Sequence, residues 1–171
     1  MVLVWLNKIL WLTALWGIQV LVFNQIHFWG CVTPIISVYF LSLFKKDTPR
    51  SALLLWAFTL GILIDLFSGT PGVVSASMTL SAFLQPWLLK LFLSKDAPED
   101  MVPSIQLMGK WKYFQFMFLL TIVHHTTFFL LEAFSFFNWE VLLFSMGGSI
   151  ILSLLLIMIL EVARNPKKQI K

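Results

Sequence analysis

The chain has 171 residues, of which 59% are hydrophobic and only 12% charged, with a formal net charge of +4. Soluble domains carry about a quarter charged residues, so this balance excludes an ordinary soluble domain and points to a membrane. A single cysteine, Cys31, excludes an intrachain disulfide and a cysteine-based metal cluster.

Apolar stretches of spanning length recur along the chain, and a span needs roughly 20 predominantly apolar residues. The pattern predicts an all-α integral membrane protein with six transmembrane helices, over residues 9–23, 28–44, 51–67, 73–93, 114–137 and 141–160. Val2–Leu6 is apolar too, so the first helix can begin earlier. Lys8 interrupts it and no small-x-small cleavage site follows, so it reads as a retained span and not a signal peptide. The connections at 24–27, 68–72 and 138–140 are short, which predicts three antiparallel hairpins. The third span is brief, reaching only about 25 Å at 1.5 Å per residue. The longest polar stretch, around 94–113, is too short to build a core. Pro98 and Pro103 argue against one continuous helix there, although Ser104–Lys112 can form a short interfacial helix. Residues 1–171 therefore read as one six-helix domain, with 161–171 as a basic tail that lies along anionic headgroups.

Charge placement predicts the orientation. With six spans and the N-terminus inside, all twelve Lys and Arg residues fall on or beside the cytoplasmic side, as positive-inside bias requires. Five or seven spans would break the pattern. Trp29 and Trp139 then sit at the outer interface, with Trp5, Trp87 and Trp111 near the inner one. Both termini are expected in the cytoplasm.

Ionisable groups inside a membrane are expensive and mark candidate sites. Asp65 is the intramembrane aspartate. Ala57, Gly61 and Asp65 recur every fourth position and share a face. Small residues there let another backbone approach, so Asp65 should point into protein. Ser68 and Gly69 form the turn, Thr70 is the expected N-cap and Pro71 the first helical residue of the next span. That span opens with Gly72, Ser75 and Ala76, an unusually small-residue surface. The Asp65 carboxylate is placed to accept bonds from the free amides at the start of that helix; a partner contact or a bound ligand is the other reading.

The fifth helix carries Thr121, His125 and Glu132 on one face, with His124 beside them. Adjacent histidines project about 100° apart on a helix, unlike the H-x-x-x-H spacing of a zinc pair. Buried, hydrogen-bonded histidines are the expectation, and no metal or cofactor is expected. His125, Phe128 and Glu132, within the aromatic run Phe128–Phe137, form a candidate partner face, with lipid contact as the plainer reading. Catalytic templates fail: no H-E-x-x-H, no G-x-S-x-G and no second intramembrane aspartate are present. The chain reads as non-enzymatic.

Residues 60–84, LGILIDLFSGTPGVVSASMTLSAFL, resemble the signature hairpin of the MreD family of bacterial rod shape-determining membrane proteins. The matching positions are Gly61, Asp65, Leu66, Ser68, Gly69 and Gly72. Chain length, six spans, Thr33-Pro34 in the second span and the basic C-terminus extend the likeness, and with Gln85-Pro86 they resemble the Bacteroidetes branch. The resemblance implies a fold similar to the substrate-binding subunits of ECF transporters. It also implies a scaffold that binds MreC, a single-span protein, and through it joins MreB filaments, RodA and its partner transpeptidase. In that account Gly61, Gly72, Ser75 and Ala76 permit close packing, while Asp65, Ser68 and Thr70 fix the corner that presents the surface. The alternative is a transporter substrate subunit, for which the first helix lacks the Ala-x-x-x-Ala docking element, having only Ala14.

Overall fold

The computed structural model describes residues 2–23, 33–93, 97–133 and 139–164, and no strand occurs among them. Six α-helices occur among the described residues: α1 (Val2–Leu21), α2 (Arg50–Ser68), α3 (Val73–Phe92), the short α4 (Ile105–Met108), α5 (Lys110–Glu132) and α6 (Trp139–Arg164). Three of them, α2, α5 and α6, are long and apolar enough to cross a membrane. The expected connection at 24–27, Trp29, Cys31, the aromatic positions 134–137 and the tail 165–171 lie outside the described residues.

The predicted first, third, fourth and sixth helices coincide with α1, α2, α3 and α6 to within a few residues, α1 beginning well before residue 9 and α6 running on to Arg164. The fifth, expected from 114, begins at Lys110. The second is a correction. Over its described part, residues 33–36 are not helical and Ser37–Leu43 is a 3-10 helix. The physical reason is local. Pro34 has no N–H to give to a helix, and the residue before a proline is pushed out of the α region. The freed backbone groups are satisfied by side chains instead. Thr33 N–H donates to Ser149 Oγ at 3.1 Å, Ile35 N–H to Ser153 Oγ at 2.8 Å, and Ile36 N–H to Gln19 Oε1 at 2.9 Å. Gln19 Nε2 returns a bond to Pro34 O at 3.1 Å. Irregular backbone in hydrocarbon is tolerated only where protein supplies such partners or water reaches it.

The 3-10 segment is the centre of the fold. Ser37, Val38, Tyr39, Phe40 and Leu41 are fully buried, and α1, α2, α3 and α5 all pack on them. Outward, the surface is apolar: Leu10, Leu55, Leu66, Leu91, Ile151 and Ile159 are largely exposed, while Ser77, Ser81, Thr121, Ser149 and Ser153 are buried. An apolar exterior around an interior that mixes apolar and polar side chains suits lipid, and it leaves most of the polar groups with protein partners.

The tightest packing joins α2 to α3. A Cβ built on Gly61 would fall 2.8 Å from the Ser75 backbone nitrogen and closer still to its Cα. The helix axes approach where Gly61 has no side chain. Gly61→Ala is therefore expected to lower the thermal midpoint in detergent, by the equivalent of about 1–3 kcal/mol for an overpacked contact. Gly17→Ala, whose Cβ would meet nothing within 4 Å, should leave the midpoint unchanged or raise it.

Candidate functional site

The α2–α3 corner is built around one carboxylate. Asp65 is 7% exposed. Its Oδ1 accepts from Val74 N–H at 2.9 Å and its Oδ2 from Ser75 N–H at 2.9 Å. Thr70 Oγ1 donates to Oδ1 at 3.1 Å. The helix start expected at Thr70 and Pro71 is displaced: α3 begins at Val73 with Gly72 as N-cap, at φ 86°, and with no side-chain cap of its own. Asp65 supplies that cap from the preceding helix. An anion there also faces the positive end of the α3 dipole. Gly69, at φ 67°, closes α2 in the left-handed conformation that favours glycine. Ser68 Oγ turns back to Ile64 O at 2.7 Å.

The small residues divide by role. Ala57, Gly61 and Ser75 are buried between the helices. Pro71, Gly72 and Ala76 are exposed. Ala76 is therefore not part of the close packing; it lines a shallow apolar groove of about 450 Å³ with Leu54, Phe58, Thr79, Leu80 and Phe83. Gly72 serves through its backbone angle, since a Cβ there would meet nothing within 4 Å.

The two histidines diverge to different helices. His125 Nδ1 lies 2.9 Å from Thr121 O, and its Nε2 lies 3.0 Å from Ser153 Oγ. A carbonyl only accepts, so the proton sits on Nδ1 and the Ser153 hydroxyl donates to Nε2 while accepting from Ile35 N–H. His124 has the opposite tautomer. Ser77 Oγ already donates to Val74 O at 3.0 Å, so His124 Nε2 is the donor in its 3.3 Å contact with Ser77 Oγ. Its Nδ1 has no hydrogen-bond partner among the described residues, and neither does Thr121 Oγ1. His124 thus ties α5 to α3, and His125 ties α5 to α6. His125 and Phe128 are buried and Glu132 is exposed, so these residues do not form the joint exposed partner face expected for them. Among the described residues, no group of three or more His, Cys, Asp or Glu is arranged to hold a metal ion.

The opposite end of the bundle holds a carboxylate that sequence reasoning missed. Glu161 is fully buried near the end of α6. Tyr39 O–H donates to its Oε2 at 2.8 Å, Ile105 N–H donates to its Oε1 at 3.2 Å, and Arg164 Nη1 lies 3.6 Å from Oε2. Ser145, Ser149 and Ser153 form a second overlooked feature, a buried stripe at every fourth position of α6. Their spacing was a readable signal; Glu161 stood just past the apolar run and carried no such mark.

No protein-family model, curated protein or solved structure matches the chain.

Removing the Asp65 charge should loosen the corner. Asp65→Asn keeps the shape but sets an amide N–H₂ against backbone N–H donors. It is expected to lower stability by about 1–3 kcal/mol, read as a lower thermal midpoint in detergent. His125→Leu should destabilise more than His124→Leu in the same assay. The first strands the Ser153 hydroxyl hydrogen and breaks two bonds, whereas the second breaks one and removes a nitrogen already without a partner.

Proposed function

We propose that this chain is a non-enzymatic, multi-pass scaffold of the bacterial cytoplasmic membrane, of the MreD kind. It binds an MreC-like single-span protein and so helps couple MreB filaments to peptidoglycan synthesis by RodA and its transpeptidase, maintaining cell shape. The observation that carries this reading is the concentration of the resembling residues in one rigid corner. Five of the six have a physical task there: Gly61 admits the α3 backbone, Asp65 caps α3, Ser68 and Gly69 end α2, and Gly72 turns the chain into α3, while Leu66 faces outward. A sequence pattern most of whose members build one corner supports the resemblance better than a shared hydrophobic run would. Beside the corner, the groove of Leu54, Phe58, Ala76 and Phe83 offers a partner helix a lipid-facing seat.

The charge distribution supports a cytoplasmic position for both termini. Lys45 and Lys46 precede α2, Arg50 and Lys110 begin α2 and α5, and Lys90 and Arg164 stand in the last turns of α3 and α6. Lys8 lies 4.4 Å from the Phe44 ring centre at the same end. Every described Lys and Arg thus gathers at the Glu161 end, and positive charge marks the cytoplasmic side.

One observation favours a second reading, a substrate-binding subunit of a small-molecule transporter. Non-helical backbone at 33–36, held by Gln19, Ser149 and Ser153, with His125 bonded to Ser153, resembles the interrupted helices that bind solutes in transporters. A tagged pull-down from gently solubilised native membranes separates the two. The scaffold reading expects a single-span MreC-like protein with the wild-type chain. Recovery of an ATPase module or a tightly held small molecule, without such a protein, would overturn it.

A further inference from the structure

The 97–109 segment between α3 and α5 covers the Glu161 end of the bundle. Met101, Pro103, Ser104 and Met108 are buried, while Glu99, Asp100, Gln106 and Leu107 face outward. The segment is held at both ends of its course. Lys46 N–H donates to Met101 O at 2.9 Å, Asp47 N–H to Glu99 O at 3.2 Å, and Lys46 Nζ to Ala97 O at 2.8 Å. Further along, Ile105 N–H donates to Glu161 Oε1 at 3.2 Å and Arg164 Nη2 to Pro103 O at 3.4 Å. At its junction with α5 stands Gly109, at φ 81° and ψ 155°, a conformation that side chains strongly disfavour.

The distribution of partners around Glu161 is what sets this segment apart. Among the donors on its carboxylate, Tyr39 comes from the central 3-10 segment, Arg164 from the same helix and Ile105 from the covering segment. If that segment lifts, Glu161 keeps Tyr39 and Arg164, while the Ile105, Lys46 and Asp47 amides, the Lys46 ammonium and Arg164 Nη2 pass to water. No buried charge is stranded, which is the outcome that makes breaking a buried ion pair so unfavourable. Met101 and Met108, the apolar plugs, are flexible side chains that fill and leave irregular pockets readily. Asp65 is the contrast: its three donors all belong to α3 or the turn before it, so α3 cannot move without exposing it.

We propose that residues 97–109 form a releasable strap, held shut by the Glu161 carboxylate and turning about Gly109. Release uncovers the Tyr39–Glu161–Arg164 cluster, so that this end of the protein presents two different surfaces. The proposal stands apart from the scaffold reading and does not need it.

Cysteine accessibility tests it. In a Cys31→Ser background, Met101→Cys reports on the strap and Met78→Cys, fully buried in α3, reports on the bundle. Each is reacted in detergent with a small polar thiol reagent. With Glu161 intact, the Met101→Cys site should react faster than the Met78→Cys site. Glu161→Gln should speed labelling at residue 101 by about tenfold, the equivalent of weakening one charge-assisted hydrogen bond, with residue 78 unchanged. Gly109→Ala, which strains the closed form from the other end, should act in the same direction. Equal slow labelling at both sites in every background would overturn the proposal, as would a parallel rise at both sites.

Discussion

The fold depends on a carboxylate that belongs to one helix and completes another. Helix α3 starts at a glycine with no capping side chain, so its first amides need an acceptor from elsewhere. In water they would find solvent; in a membrane an unmet amide costs several kcal/mol. Asp65 meets two of them at once. Because it does so from α2, it also fixes the separation of the two helices. That separation is short enough that Gly61 must have no side chain. Capping and close packing are therefore one constraint expressed at two residues one helical turn apart.

From this pair the polar contacts run through the bundle in sequence. Ser77 of α3 receives His124 of α5; His125 of α5 receives Ser153 of α6; Ser153 and Ser149 hold the backbone at Ile35 and Thr33; Gln19 of α1 holds the same stretch from the other side. Each bond is neutral and short-range, and in a low-dielectric surround each is stronger than in water. The apolar effect that normally gathers helices is weak between helices in lipid, so small residues and such bonds carry the association. The buried serines and histidines set among the apolar core follow from that solvent.

Much of this was legible in the sequence, for physical reasons. Long apolar runs bounded by Gly, Pro and polar turns marked most of the helices. The four-residue recurrence of Ala57, Gly61 and Asp65 marked the buried face of α2, and the carboxylate's place near a helix start pointed to the amides it accepts. The divergence of His124 and His125 followed from helical geometry alone. What escaped was decided by tertiary partners. Hydropathy reads Phe28–Phe44 as a helix because it counts side chains and not backbone donors. Pro34 weakened that reading, but the non-helical backbone at 33–36 is held by Gln19 of α1 and by the serines of α6, more than a hundred residues on. Thr70-Pro71 carries a good local N-cap signal; Asp65 outcompeted it by capping two residues further along. The buried role of Glu161 depends on Tyr39 and Ile105, which no local pattern connects to it. Where a local rule and a distant partner disagreed, the partner won.

The most direct test of this account is the hydrogen-exchange rate of individual backbone amides in α3, measured by NMR on the detergent-solubilised protein with and without the Asp65 charge. If Asp65 caps α3, the Val74 and Ser75 amides are strongly protected in the wild type, and Asp65→Asn selectively speeds their exchange while amides near Leu89 keep theirs. Unchanged protection at Val74 and Ser75 in that variant would contradict the account, because the corner would then be held by something other than this carboxylate.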